Sequence, residues 1–425
     1  MKYGLIGKTL VHSYSKEIHE ALGKYTYDLY SLTPEEMPDF VKAHDFGGLN
    51  VTIPYKKDVM PLCDEISELA ESIGAVNTLY RKNGRLTGHN TDYEGFLYNA
   101  ARSGISFDGR TVLILGTGGT SLMARKAAAD QGAAKIYIAS RSSRPEASHG
   151  QSRQAAAVTQ LTYDTLPEIA DTVEIIVNTT PVGTFPNNMQ SVIVLSDFPK
   201  CEAVIDVIYN PFRTKLLLEA EKLGLKFANG LPMLVAQATA AAGYFLGTPG
   251  AFTDENERII TAMEKQMRNI VLIGMPGSGK SSIGSIISDV TGRELTDMDE
   301  EIVRRTGMTI PEIFEKYGEK HFRDIESEVA ADLGKQRGLI IATGGGTVLR
   351  PENVDALRQN GFILHISRPV SSLPTDGRPL SKDLDTLLTM EKERMPLYEA
   401  AADAVFDNSM TRHRHQLASA IKKIL

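Results

Sequence analysis

Apolar residues near the start of the chain fall in short runs, Tyr3–Ile6, Gly48–Ile53 and Asn77–Tyr80, separated by helix-periodic stretches such as Ser15–Leu22 and Asp64–Ser72. Short apolar runs predict strands and a 3.6-residue repeat predicts helices, so the first hundred residues read as α/β. From Thr111 the alternation becomes regular. Thr111–Leu115 reads as a buried strand, a Gly-rich turn follows, and Leu122–Gln131 is helical. Lys135–Ser140, Glu174–Asn178 and Ala203–Tyr209 read as further strands and Lys215–Leu223 as a helix. Strand–helix alternation of this kind predicts a parallel, doubly wound sheet. Phe227–Thr253 holds no charge, but Asn229, Gly230, Pro232, Gln237 and Thr239 interrupt it. It therefore predicts a buried, Ala-rich helix rather than the ~20 apolar residues of a membrane span. Thr253–Gln266 has acids early (Asp254, Glu255, Glu257) and Lys265 late, the charge order a helix dipole favours, with Phe252, Ile259, Ile260 and Met263 as its buried stripe. At Asn269–Ile273 a second buried strand runs into a second Gly-rich turn.

A chain of 425 residues is long for one domain. No Gly/Ser- or Pro-rich linker separates the halves, so the junction near Met267 reads as tight. A net charge of −7 without a basic stripe argues against a nucleic-acid binder. Any anionic ligand must then be held by locally placed Arg, Lys or backbone amides. Cys63 and Cys201 form no CxxC pair and read as two buried thiols. The start lacks the apolar core of a signal peptide, which with the missing membrane span predicts a cytoplasmic protein. Nothing in the pattern fixes an oligomeric state.

Gly116-Thr117-Gly118-Gly119-Thr120-Ser121 follows a strand and opens a helix. Glycines there permit a tight turn and close approach of a pyrophosphate to the helix N-terminus, although Ser121 stands where a third Gly is usual. The next strand ends in Ser140-Arg141-Ser142-Ser143-Arg144, where an NAD-binding domain usually has an acid for the ribose. Two guanidiniums and hydroxyls suit the 2′-phosphate of NADP(H) instead. Upstream, Asn50-Val51-Thr52-Ile53-Pro54-Tyr55-Lys56 and Gly88-His89-Asn90-Thr91-Asp92 each gather amide, hydroxyl and charged groups.

Together these segments resemble the shikimate dehydrogenase family over roughly residues 1–266. The resemblance includes His12-Ser13-Tyr14-Ser15, Gly74–Thr78, Asn178-Thr179-Thr180-Pro181-Val182-Gly183, Asp206 with Tyr209, and Asn229-Gly230 with Met233, Leu234 and Gln237. It implies a catalytic pair of Lys56 and Asp92, and a substrate held by Ser13, Ser15, Thr52, Asn77, Thr91, Tyr209 and Gln237. Gly116, Gly118, Gly119, Thr120, Ser121, Ser140, Arg141, Arg144, Thr180 and Gly230 would bind the dinucleotide. It also implies a substrate domain at residues 1–100, completed by helices from 231–266, and a Rossmann-like NADP domain at 101–230. Lys8-Thr9-Leu10 and Lys16 depart from the family pattern, replacing prolines in the first loop.

In the second half, Gly274-Met275-Pro276-Gly277-Ser278-Gly279-Lys280-Ser281 matches the P-loop, whose amides cradle phosphates while its Lys reaches the transferred group and its Ser holds Mg2+. Then come Asp297-Met298-Asp299, Phe314 with Gly318-Glu319, Phe322-Arg323 with Glu326, Thr343-Gly344-Gly345-Gly346, Arg378-Pro379-Leu380, and Arg394 with Tyr398. Arg323 and Glu326, three apart, could by themselves be a surface helical pair.

As a set, these residues resemble shikimate kinase from about residue 267 to 425, a P-loop domain with a parallel sheet. The resemblance implies ATP bound by Gly274, Gly277, Ser278, Gly279, Lys280, Ser281 and Ser282, with Mg2+ on Ser281 and Asp297. Asp299 would hold the acceptor hydroxyls, Arg323 and Arg394 its carboxylate, and Gly345 its ring. Lys280, Asp299 and Arg378 would be catalytic, Arg378 from a lid. That lid, Ser367–Arg378, is shorter than is usual in the family and lacks an additional basic residue that commonly precedes Arg378 and covers the adenine. The expected chemistry is reduction of 3-dehydroshikimate followed by phosphorylation of shikimate. Two rivals are a non-catalytic shikimate/nucleotide sensor, and an NAD-dependent quinate/shikimate dehydrogenase fused to a kinase.

Overall fold

The computed structural model describes residues 2–10, 13–43, 46–142, 157–373 and 384–409. Contacts divide the chain into two compact units, Met1–Ala262 and Met263–Leu425.

The first unit holds two six-stranded sheets. The first is built from β1 (Lys2–Gly7), β2 (Asp28–Ser31), β3 (Phe46–Val51), β4 (Glu65–Ile66), β5 (Thr78–Lys82) and β6 (Arg85–His89), in the order β2-β1-β3-β5-β6-β4. β1 runs parallel to β2 and β3, whereas β5 is antiparallel to both β3 and β6. The β5–β6 hairpin turns on Asn83-Gly84, both at positive φ, the two-residue turn that matches strand twist. The second sheet comprises β7 (Thr111–Leu115), β8 (Lys135–Ser140), β9 (Ala157–Thr162), β10 (Ile175–Asn178), β11 (Ala203–Asp206) and β12 (Lys226–Ala228). Its order is β12-β11-β10-β7-β8-β9 and every pairing is parallel.

Burial on both faces explains the continuous apolar runs of the second sheet. Val112 and Ile114 pack under the helix Gly119–Asp130 through Met123, Ala124 and Ala127. Leu113 and Leu115 point the other way, toward Leu216, Leu217 and Ala220 of the helix Lys215–Lys222. The uncharged stretch forms the helix Leu231–Phe245, buried along most of its length. It packs on the helix Asp92–Arg102 at close range, because a Cβ at Gly95 would stand 2.6 Å from the carbonyl oxygen of Met233. These two helices carry Asp92 and Gln237.

The second unit has one parallel sheet of β13 (Asn269–Ile273), β14 (Leu295–Asp297), β15 (Ile340–Ala342), β16 (Gly361–Ser367) and β17 (Ala404–Asp407), in the order β14-β15-β13-β16-β17. Val271 and Ile273 face the helix Ile310–Lys335 through Phe322, Val329 and Leu333. Ile270 and Leu272 face Ile283 and Ile287 of the helix Lys280–Thr291. Thr309 and Glu312 close a reciprocal capping box at the start of Ile310–Lys335. That helix breaks at Gly318 (φ 81°), so Arg323 and Glu326 lie on its second segment.

Four expectations need correction. Asp64–Ser72 is not one helix: Glu65–Ile66 pairs with β6 as an edge strand, and the helix is Glu68–Ile73, capped by Ser67. The strand expected over Ala203–Tyr209 ends at Asp206, whose side chain takes over the hydrogen bonding of the turn. Cys63 is only partly buried, unlike Cys201. Of the helix expected over Thr253–Gln266, the first turn is 3-10 and the α-helix is Asn256–Met267.

Gly95→Ala should destabilise the first unit by about 1–3 kcal/mol, the usual range for overpacking. Helix propensity alone would favour Ala by about 1 kcal/mol. A raised urea midpoint, followed by circular dichroism, would show that close helix approach does not govern this position.

Candidate functional site

In the first unit the strand ends converge on a cavity of about 370 Å³. Ser13 and Ser15 reach it from the segment after β1, with the Ser13 hydroxyl donating to Ser15 Oγ at 3.2 Å. Asn50 and Thr52 come from the end of β3, and Lys56 from the turn beyond, anchored where Val76 N–H donates to the Lys56 carbonyl. Asp92 begins the helix Asp92–Arg102, and its Oδ2 accepts from Lys56 Nζ at 2.5 Å. Both side chains are mostly shielded, which strengthens a charge-assisted bond. Asn77 Oδ1 is occupied by the Thr91 N–H at 2.7 Å and the Thr78 hydroxyl at 2.8 Å, leaving its Nδ2 group for a ligand. Gln237 is oriented oppositely: its Nε2 donates to the Leu234 carbonyl, leaving Oε1 to accept. Tyr209 and Gly230 complete the far wall. The walls thus offer neutral donors and acceptors around one ammonium–carboxylate pair.

Thr120, in the first turn of the helix Gly119–Asp130, also lines this cavity, so the Gly-rich turn opens onto the same space. A Cβ at Gly118 or Gly119 would meet no atom within 4 Å, which leaves an open cradle at a helix N-terminus. Amides facing free space there fit a pyrophosphate. Thr180 is held by Asn178 Oδ1, which accepts its N–H and hydroxyl. Asn178 in turn donates to Asp206, a fully buried carboxyl that also accepts from the Ile208 N–H and Thr214 hydroxyl. Burial pushes Asp206 up to about 6 despite those donors. Arg141 is exposed at the end of β8, and Ser140 Oγ donates back to the Ser142 carbonyl. Arg144 lies outside the described residues.

The second unit has a larger cavity, about 920 Å³, around the P-loop. Gly277 and Gly279 take positive φ, and Lys280 Nζ folds over the loop to donate to the carbonyls of Gly274 (2.8 Å) and Met275 (3.0 Å). Ser278 Oγ is buried without a hydrogen-bond partner among the described residues. Ser281 Oγ donates to Asp297 Oδ2 at 2.7 Å, and Asp297 Oδ1 caps the next helix by accepting the Asp299 N–H. Among the described residues no group of three or more His, Cys, Asp or Glu could hold a metal. A Ser hydroxyl beside one carboxylate fits Mg2+, which keeps waters and shares nucleotide phosphates rather than filling a protein cage.

Asp299 is pushed up to about 6, first by burial and then by the charges of Asp297 and Glu326. Arg323 is buried, not a surface residue: it donates to Glu326 Oε2 at 2.9 Å and to Glu319 Oε1 at 3.1 Å. The bare Cα of Gly346 leaves room for it, since a Cβ would stand 2.4 Å from the Arg323 guanidinium. Arg394 Nη1 and the Tyr398 hydroxyl both donate to the Gly345 carbonyl, while Arg394 Nε is buried without a partner among the described residues. Two guanidiniums on one wall suit a carboxylate.

The structure therefore brings Ser13, Ser15, Thr52, Lys56, Asn77, Asp92, Tyr209 and Gln237 into one cavity. Lys280, Ser281, Ser282, Asp297, Asp299, Arg323, Gly345 and Arg394 share the other. Thr91 does not line the cavity: it is fully buried behind Asn77 and sets that amide. Ser121 is buried as well, its N–H donating to the Gly118 carbonyl. Arg378 lies outside the described residues. Thr9, Asn50 and Arg368 also line the cavities, and the sequence assigns them no binding role, because a Thr, Asn or Arg inside a longer loop segment carries no pattern of its own.

Comparison with known proteins parallels this division. Residues 5–79 match the family described as shikimate dehydrogenase substrate binding domain, and residues 276–425 match the shikimate kinase family. The shikimate dehydrogenase (NADP(+)) of Methanopyrus kandleri is 38% identical over 260 residues, spanning 57% of this chain and 89% of that protein. Shikimate dehydrogenase 1 from Peptoclostridium difficile is similar in structure with a TM-score of 0.55 and 32% identity, over 62% of this chain and 98% of that one. Shikimate 5-dehydrogenase from Thermus thermophilus, solved in complex with NADP(H) and shikimate, gives 0.52 and 29%, over 62% and 99%.

Two expectations follow from the electrostatics. Because Asp299 is raised above the unfolded carboxyl value, its contribution to stability is complete below about pH 4 and lost as pH rises through about 6. Asp299→Asn should therefore stabilise the second unit at pH 7–8, the gain over wild type shrinking toward pH 4. Phosphoryl-transfer kcat/KM of the wild type should fall about tenfold per pH unit below about 6. A flat profile from pH 5 to 8 with no stability gain would refute the shift. Separately, Arg141→Ser should lower kcat/KM for NADPH about tenfold while barely changing that for NADH, as expected for one phosphate–Arg contact. An equal loss with both cofactors would remove Arg141 from the 2′-phosphate site.

Proposed function

This chain belongs to the shikimate dehydrogenase family and carries a shikimate kinase domain behind it, and from that premise we propose how its residues perform the two reactions. It is a bifunctional shikimate-pathway enzyme. It reduces 3-dehydroshikimate to shikimate with NADPH, then phosphorylates shikimate with ATP to shikimate 3-phosphate. The observation that carries the residue assignment is the Lys56–Asp92 pair, 2.5 Å apart in a cavity that Thr120 of the dinucleotide turn also lines.

In the first reaction, the substrate lies among Ser13, Ser15, Thr52, Asn77, Tyr209 and Gln237, its keto oxygen toward Lys56 Nζ. NADPH, when bound on the Gly116–Ser121 turn, supplies the hydride. Lys56 delivers the proton to the developing alkoxide, and Asp92 fixes the ammonium and steadies its charge. Thr91 acts through Asn77, as a positioning residue. In the second reaction, Arg323 and Arg394 hold the carboxylate of shikimate, and Asp299 accepts a hydrogen bond from the 3-hydroxyl. That oxygen attacks the γ-phosphorus as the bond to ADP breaks, its proton passing to Asp299. Lys280 leaves its loop carbonyls for the phosphates, and Ser281 and Asp297 would hold Mg2+, which when bound would supply positive charge to offset that of the phosphates. Arg378 would add a further cation from its lid.

A sensor would not need the Lys56–Asp92 pair, and the relative from Methanopyrus kandleri is an NADP(+) enzyme rather than an NAD one. No helix among the described residues is long and apolar enough to cross a membrane. With NADPH and ATP as its co-substrates, we assign the enzyme to the cytoplasm.

The two activities should separate by mutation. Lys56→Ala should cut dehydrogenation by about 10²–10⁴-fold, the range of general acid–base catalysis, with phosphorylation unchanged. Lys280→Ala should do the reverse. Parallel assays of NADPH loss and ADP formation read both at once, and loss of both activities from either folded variant would sink the two-site assignment.

A further inference from the structure

We infer that Arg368 is a nucleotide-binding residue of the kinase cavity, holding ATP from the side of the P-loop opposite the acceptor. The inference rests on the reading that the P-loop binds ATP. The sheet order β14-β15-β13-β16-β17 places the P-loop, which follows β13, between two sides of the cavity. On one side β14 ends at Asp297 and β15 leads to Gly344–Gly346, against which Arg323 packs. The acceptor groups therefore lie there. On the other side β16 ends at Ser367, so Arg368 emerges next to the loop. Contact there is direct: a Cβ at Gly274 would stand 2.4 Å from the Ile366 carbonyl oxygen. Asn408, after β17, ties the corner together, its N–H donating to the Ser367 carbonyl and its Nδ2 to the Ser278 carbonyl.

The charges around the cavity single out the same residue. Of the other cations lining the cavity, Lys280 is bonded to loop carbonyls, Arg323 to Glu319 and Glu326, Arg304 to Glu301, and Arg394 to the Gly345 carbonyl. Arg368 lines the cavity partly buried, and among the described residues no carboxylate is paired with it. A partly desolvated guanidinium without a counter-ion is unfavourable unless a ligand supplies negative charge or a π face. A nucleotide on the P-loop offers both.

The test is calorimetric titration of the full chain with Mg-ADP, alongside the kinase KM for shikimate and the dehydrogenase rate. Arg368→Ala should raise the Kd for ADP about tenfold or more, with Arg368→Lys between it and wild type. The KM for shikimate and the dehydrogenase rate should stay within twofold of wild type, which also shows that the variants fold. Unchanged ADP affinity, or a parallel rise in ADP Kd and shikimate KM, would overturn the inference. Failure of the underlying reading looks different: wild type would bind no ADP, or Lys280→Ala would bind it as wild type does. Should Arg368→Ala fail to fold, Arg368→Gln carries the same comparison.

Discussion

At the C-terminal edge of a parallel sheet, each buried strand ends with backbone groups that no neighbour can pair. The chain has to satisfy them with turns, caps or ligands. Both units are organised by this constraint. In the first, β7 ends in a Gly-rich turn whose amides face open space, and β10 and β11 end in Asn178 and Asp206, side chains that serve the following turns themselves. In the second, β13 ends in the P-loop, and β14 ends in Asp297, which caps the helix carrying Asp299. Sites form where the strand ends leave something unsatisfied, and structural hubs form where a side chain has already satisfied it.

Buried charge is handled in the same spirit. Glu326 is fully buried yet has both oxygens engaged, Oε1 by the Thr347 hydroxyl and Oε2 by Arg323. Removing either partner would leave a desolvated carboxylate, a cost of several kcal/mol that ties the helix Ile310–Lys335 to the turn after β15. The same Glu326 raises Asp299 through space, so the group that braces Arg323 also tunes the group beside the acceptor.

How much of this the sequence revealed depended on which signal each residue carried. Thr111–Leu115 and Lys135–Ser140 were legible to the residue, because a strand buried on both faces must be apolar throughout. Glu65–Ile66 was not, since an edge pair of two residues leaves no period and the helix pattern of Glu68–Ile73 ran over it. The Asn83-Gly84 turn is legible in the sequence, because that pair favours the positive φ a two-residue hairpin turn requires. Cavity residues were recognisable where ordered motifs surrounded them, as with Lys56 and Lys280. Spacing could not show that Thr91 faces Asn77 instead of the cavity, or that Arg323 and Glu326 are buried. The burial of an i,i+3 ion pair is decided by what packs over it, here the turn at Gly346, distant in sequence.

Under the proposed assignments one molecule, shikimate, is recognised twice by different chemistry. The first cavity presents hydroxyls and amides to the carboxylate, and among the described residues its one ammonium, Lys56, is committed to Asp92 at the reacting carbon. The second presents two guanidiniums, one already braced by Glu319 and Glu326. Neutral donors hold an anion less tightly than charged ones, by roughly a factor of two in hydrogen-bond strength. The first site makes shikimate and must release it, while the second must capture it and hold it in line with a phosphoryl donor. A weak grip on the carboxylate suits release, and a braced Arg pair suits capture and orientation. Because the reduction is reversible and the phosphorylation is driven by ATP, the difference in grip and the difference in driving force point the same way, from the first site toward the second.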